Sequence, residues 1–182
     1  MLGRRYLGII HALEAAGVRY LIVGGIAVNL HGYARFTKDL DLLIDLDPTN
    51  ALRAMEVLRD CGLQPRVPVS PTDFADPAKR DDWFERRNML VFQLVDPHDP
   101  FCSVDVFIRN PIDFDDAWSR ALAETLGGSV VRLVAVKAQA LVLVGPVFHR
   151  LLLGHSQLGP YAHGDPGDPG RPAGRGRQSR GA

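Results

Sequence analysis

Residues 37–45 read TKDLDLLID and set two carboxylates, Asp39 and Asp41, two positions apart in an otherwise apolar run. Successive side chains of a strand point to opposite faces, so Asp39 and Asp41 share one face while Leu40, Leu42 and Ile44 turn the other way, into a core. A second alternating run, residues 102–108 (CSVDVFI), carries one acid, Asp105, with Val104, Val106 and Ile108 opposite. A charge inside an apolar strand is costly to bury without a partner, which gives Asp105 its weight. If the two strands are neighbours, about 4.8 Å apart, three carboxylates converge on one place. Their mutual repulsion demands cationic charge between them. Two divalent metals about 3.5–4 Å apart are the usual answer, and phosphoryl or nucleotidyl transfer is their usual chemistry. The plainer reading, a strand edge with acids facing water, weighs less because the pair follows a diglycine and is matched by Asp105. Asp45 falls on the Asp41 side but at the strand end.

Upstream lies YLIVGGIAVNLHG, residues 20–32, a short apolar strand that runs into Gly24 and Gly25. Glycine lets backbone approach a phosphate closely, and amides at a helix start favour anions. The spacing is neither that of a P-loop nor of a dinucleotide fingerprint, and a strand-to-helix turn also uses glycine for geometry alone. Arg35, Thr37 and Lys38 stand just before the acids, where they would give hydrogen bonds to a polyphosphate. Solvated loop charge is the competing reading, evenly matched for Lys38 and weaker for Arg35. His31 reads as a helix-end hydrogen-bonding residue, Arg109 as a surface cation, and Trp83 and Trp118 as core or lid aromatics.

The 182 residues suffice for one domain with a real core, and 46% hydrophobic with 23% charged content is ordinary for a globular protein. Formal net charge is zero, which removes bulk charge as a sign of nucleic-acid binding. Cys61 and Cys102 form no zinc pattern and read as reduced thiols; with no signal-peptide pattern at the start, the expected location is cytoplasmic. The apolar stretch 133–148 is broken by Lys137, Gln139, Gly145 and Pro146, so no membrane partner is expected. Periodicity predicts helices over residues 4–16, 26–30 and 48–61, with Asp47 as the cap and Pro48 in the first turn of the last of these. Strands are expected over 20–23, 39–44, 89–95, 102–108 and 130–133, and a loop over 63–77. A short helical piece is expected near 81–87, a helix over 115–126 ended by Gly127 and Gly128, and another from 134 to 143. The fold class this order implies is α/β (α+β): a mixed β-sheet flanked by helices.

The glycine pair, the acid–hydrophobic–acid motif Asp39-Leu40-Asp41 and the later strand acid Asp105 together resemble the DNA polymerase beta-like nucleotidyltransferase superfamily. Residues 23–45, VGGIAVNLHGYARFTKDLDLLID, look like its small, stand-alone bacterial subgroup, and residues 114–136, FDDAWSRALAETLGGSVVRLVAV, do so too. The resemblance spans residues 17–138. Some relatives in that subgroup are toxin or antitoxin components. The resemblance implies that Asp39, Asp41 and Asp105 hold magnesium as two Mg2+ ions and that Gly24 and Gly25 contact the triphosphate of an NTP, with ATP the default. The product it implies is a nucleotide adduct plus pyrophosphate, and it makes Asp105 the candidate general base for the acceptor.

Relatives continue after the last strand with a lysine-bearing helix, an AGRP-like turn and an acidic helix. Here the chain departs from that pattern. Residues 154–182 contain eight Gly and four Pro, and Arg171, Arg175, Arg177 and Arg180 are followed by no acid. Such composition has no apolar period and does not read as a fold. It is what a GC-rich gene yields out of frame, so a frame change near Leu143 is expected, with loss of part of the nucleotide-side wall. The expected organisation is a nucleotidyltransferase domain over 1–143 and an aberrant Gly/Pro/Arg-rich tail over 144–182. Two functions compete: transfer of a nucleoside monophosphate to a hydroxyl on a small molecule, RNA or protein, and a weakly active or inactive module that binds a cognate toxin or antitoxin. Intact acids favour the first, the C-terminal composition the second.

Overall fold

The computed structural model describes residues 3–32 and 37–135. Its centre is β1 (Tyr20–Val23), buried along its whole length, and β2 (Asp39–Ile44), antiparallel to it with Tyr20 opposite Ile44 and Val23 opposite Asp41. Parallel to β2 on its other side runs β5 (Asp99–Phe107), which forms an antiparallel hairpin with β4 (Val91–Asp96). The short β3 (Gln64–Pro65) pairs with β4 at the sheet edge, where the missing N–H of Pro65 is tolerated. Beyond β1 come β7 (Ser129–Leu133), parallel to it, and β6 (Leu122–Leu126), antiparallel to β7. The mixed seven-stranded sheet therefore has the order β3-β4-β5-β2-β1-β7-β6.

One sheet face carries the main core. Leu40, Leu42, Ile44, Val104 and Val106 meet Ile9, Ile10 and Leu13 of α1 (Arg4–Ala15) and Ala51, Ala54, Met55 and Leu58 of α3 (Pro48–Asp60). The strand alternation that turns the acids one way thus turns these residues the other. Each fully buried aliphatic side chain contributes about 1.5–3 kcal/mol, so this face holds the fold together. Phe74 of α4 (Pro71–Ala75) and Trp83 of α5 (Pro77–Arg87) pack on Phe92 of β4 at ring distances of 5.2 and 5.9 Å. The opposite face has a smaller cluster of Leu21, Val23, Leu43, Phe107 and Val134, covered by Ala117 of α6 (Phe114–Ser119). That cluster stops where Asp39, Asp41 and Asp105 begin.

Local chemistry accounts for the boundaries. Asp47 accepts from the amides of Thr49 at 2.9 Å and Asn50 at 3.4 Å, and Pro48 opens the helix. Buried Asn50 ties the β1 entry to the β2 exit, donating to the carbonyls of Arg19 and Asp45 and accepting from the Arg19 amide. Asp47→Ala is expected to cost about 1 kcal/mol, the usual worth of an N-cap. A urea midpoint indistinguishable from wild type would show that the cap contributes nothing.

Three expectations are corrected. Residues 63–77 are not a loop, because β3 pairs with β4 and α4 is started by a capping box in which Ser70 and Asp73 bond each other's amides. The piece expected near 81–87 begins already at Pro77, capped by Asp76. The helix expected over 115–126 ends at Ser119, and Leu122–Leu126 is a strand. Gly127 and Gly128 have φ of 57° and 87°, as a two-residue hairpin turn requires, so the pair that reads as a helix stop folds β6 onto β7. The helix expected over 134–143 lies outside the described residues from 136 onward, as do Arg35, Lys137, the tail 144–182 and the suspected frame change. No helix among the described residues is long and apolar enough to cross a membrane.

Candidate active site

The register joins the acids across strands. Asp41 of β2 is the direct neighbour of Asp105 on β5, and Asp39 is the direct neighbour of Ser103. All four side chains lie on the sheet face away from the main core. The Ser103 hydroxyl donates to Asp39 Oδ1. The Gln93 amide, from the adjoining strand β4, donates to Asp105 Oδ1 at 2.9 Å. Burial pushes the Asp105 carboxyl above its usual range and the negative charge of Asp39 adds to this, while the Gln93 amide and the charge of Arg66 oppose it. Tyr6 of α1 fastens the entrance of β2 to β5: its hydroxyl donates to the Lys38 carbonyl and accepts from the Ser103 amide at 3.2 Å. Burial pushes the Tyr6 hydroxyl up to about 12, so it stays a neutral donor.

The diglycine belongs to the same place. Gly24 opens α2 (Gly24–Leu30) directly after β1, with φ of 66°. A Cβ there would stand 1.9 Å from Asp41 Oδ2 and 2.9 Å from Asp41 Cβ; only a glycine leaves room for this carboxylate. A Cβ on Gly25 would meet Thr37 Oγ1 at 2.5 Å and Thr37 Cβ at 2.6 Å, so the hydroxyl of Thr37 sits on the glycine turn. The structure thus brings Gly24, Gly25, Thr37, Asp41, Asp39 and Asp105 together. Lys38 is exposed beside them.

Other candidates lie elsewhere. Asp45 is paired with Arg19 at 2.5 Å, and Arg19 also reaches Asp115 at 2.6 Å. Arg109 binds Asp81 and Glu85 and lies over the Phe84 ring, a surface cation as expected. His31 Nε2 meets the Val134 carbonyl at 2.9 Å at the end of α2, the hydrogen-bonding role its position suggests. Trp83 is core, and Trp118 stacks on Phe114. Ser103, Gln93 and Tyr6 were not singled out from sequence. Ser103 had a signal, lying two positions before Asp105; so had Gln93, the one polar residue among residues 91–95.

The three acids do not close into a ligand set here: among the described residues no three His, Cys, Asp or Glu side chains are placed to hold a metal ion. The strands align the acids, while Asp39 and Asp105 each give an oxygen to a protein donor and Asp41 lies on Gly24. By chemistry the donors suit magnesium, a hard cation that takes carboxylate oxygen. Among the described residues, each of Asp39 and Asp105 accepts from a protein side chain on one oxygen, Oδ1. The unfavourable burial of Asp105 is what a bound cation would relieve.

The class this defines is a mixed-sheet fold with flanking helices and an acid-bearing face at a glycine turn. The fold alone is similar to the solved structure of a "putative nucleotidyltransferase" from Thermotoga maritima, with a TM-score of 0.53 and 14% identity over 84% of this chain and 92% of that one. At that identity the likeness is one of fold. No family model matches the chain, and no curated protein does.

Proposed function

We propose that this chain is a metal-dependent nucleotidyltransferase that moves a nucleoside monophosphate from an NTP, with ATP the first choice, to a hydroxyl acceptor. The observation that carries the reading is the register pairing of Asp41 with Asp105 beside a glycine turn shaped around the Asp41 carboxylate. The shared fold supports it. Asp39, Asp41 and Asp105 would hold magnesium, which when bound offsets the charge of the triphosphate and polarises the phosphorus under attack. Gly24 and Gly25, packed on Asp41 and Thr37, would contact the triphosphate through their backbone, and Thr37 offers a hydroxyl donor on the same turn. Lys38, and Arg35 outside the described residues, would neutralise phosphate charge.

Asp105 has the further role of base. Its place on β5 directly beside Asp41 suits a carboxylate that takes the proton of a hydroxyl held at the acids. The acceptor oxygen bonds to the α-phosphorus as its proton passes to Asp105, the bond to the bridging oxygen breaks, and pyrophosphate departs with that electron pair. The toxin–antitoxin subgroup and a cognate protein partner rest on the resemblance of residues 17–138 alone and extend this reading. With magnesium and ATP labelled at the α- or γ-phosphate, the α-label is expected in the adduct and the γ-label in pyrophosphate. A γ-label released as free phosphate, or carried to the acceptor, without pyrophosphate would make the chain a hydrolase or a kinase respectively and overturn the assignment.

A further inference from the structure

The register sets side chains of four strands in rows across the acid-bearing face. One row runs Arg66–Gln93–Asp105–Asp41: the Arg66 amide donates to the Gln93 carbonyl at 3.0 Å, Gln93 pairs with Asp105, and Asp105 with Asp41. The row beside it is Gln64–Val95–Ser103–Asp39. Between the rows, Pro65 lies opposite Leu94, which is buried in the main core, so alternation puts Arg66 and Gln64 on the face of the acids. Charge is segregated along this surface. The acids all lie on β2 and β5, next to the glycine turn, whereas the β3–β4 half holds two amides and one cation, Arg66.

Arg66 is exposed. None of the ion pairs among the described residues involves it. Its backbone stands two strands from Asp105, about 10 Å at the usual spacing, and an arginine side chain covers much of that distance. An anion held by its guanidinium would therefore lie beside a hydroxyl presented to Asp105, on the side away from Gly24. A guanidinium with Gln64 and Gln93 as register neighbours, the latter with one amide N–H beyond the one given to Asp105, offers donors to several oxygens at once, which matches a phosphate better than a carboxylate.

We propose that Arg66, with the Gln64 and Gln93 amides beside it, binds a phosphate group of the acceptor, so that the substrate class is a phosphorylated hydroxyl compound. This rests on the nucleotidyl-transfer reading, since it places donor and acceptor on opposite sides of Asp105. The test is NMR of the arginine Nε–H signals of the full chain titrated with inorganic phosphate, the Arg66 signal being assigned by its loss in Arg66→Gln. Phosphate is expected to shift it saturably in wild type and in Asp41→Asn alike. Read on the Gln93 side-chain amide signals, Arg66→Gln is expected to weaken phosphate binding by about tenfold or more, the worth of a charge-assisted hydrogen bond, while magnesium–ATP affinity is unchanged. Arg66→Lys is expected to keep part of the affinity, retaining the charge without the fork. An Arg66 signal that does not move, that follows the same unsaturable course as exposed Arg86, or that acetate moves as strongly as phosphate, would overturn the proposal. Loss of magnesium–ATP binding in wild type with the Arg66 titration intact would instead count against the nucleotide reading.

Discussion

Gly24→Ala is expected to lower stability by at least about 2 kcal/mol and to remove magnesium-dependent nucleotide binding with it. Two costs combine. The left-handed φ of 66° is unfavourable for any residue with a Cβ, by about 1–2 kcal/mol. The new Cβ would also stand 1.9 Å from Asp41 Oδ2, 2.5 Å from Cγ and 2.9 Å from Cβ. Rotating the carboxylate away clears the first two contacts but not the third, because Asp41 Cβ is fixed to the backbone of β2. That strand is hydrogen-bonded on both sides, to β1 and β5, so it cannot retreat cheaply. Gly62→Ala is the matched control: it has φ of 86° at the end of α3, and its Cβ would come no nearer than 3.5 Å, to the Arg5 guanidinium. It is expected to cost about 1–2 kcal/mol and to leave nucleotide binding intact. Equal losses of binding in the two variants, measured by titration with magnesium–ATP on folded protein, would show that the Gly24–Asp41 contact is not part of a nucleotide site.

The acids are expected to separate into two behaviours. Asp39→Asn and Asp41→Asn should abolish magnesium-dependent ATP binding, since the neutral amide keeps the size but not the charge that holds a cation. Asp105→Asn should cut the chemical step more than it cuts ATP binding, if Asp105 both holds metal and takes the acceptor proton. The same variant should raise the thermal midpoint of the metal-free protein. The sign follows from linkage: burial holds the folded pKa of Asp105 above its unfolded value, so stability is lost as pH rises from the unfolded value through the folded one. At neutral pH the ionised group is therefore a net cost that asparagine removes, while its side-chain oxygen still accepts from Gln93. Unchanged ATP affinity in both Asp39→Asn and Asp41→Asn would sink the metal assignment. A lowered midpoint for metal-free Asp105→Asn would show that the carboxylate is not strained by burial.

Elements whose signals are local were legible in the chain. β1 begins and ends with the apolar run 20–23, β2 where apolar alternation says it does, and α3 starts at the Asp47-Pro48 cap. The helix expected over 115–126 failed for the opposite reason. Leu122–Leu126 has no partner within itself; it becomes a strand because Gly127 and Gly128 return the chain as β7, which is parallel to β1. A helix-compatible segment was overridden by pairing with residues that lie on the far side of a turn. The edge strand β3 escaped notice similarly, being two residues long and defined only by its bonds to β4.

The candidate site divides along the same line. Residue identity and the period of a strand determined that Asp39 and Asp41 share a face, that Leu40, Leu42 and Ile44 take the other, and that Asp105 breaks an apolar run. Those are properties of one backbone segment, independent of its neighbours. Only the tertiary structure decided that β5 lies beside β2 in parallel with Asp105 next to Asp41, that Ser103 and Gln93 hold the carboxylates, and that Gly24 is small because Asp41 occupies the space of its Cβ. Sliding β5 by one residue would turn Asp105 into the core and Val104 onto the acid face without changing a letter of the sequence. What selects the register is the packing of Val104, Val106, Leu40 and Leu42 against α1 and α3, a sum of apolar contacts between distant parts of the chain.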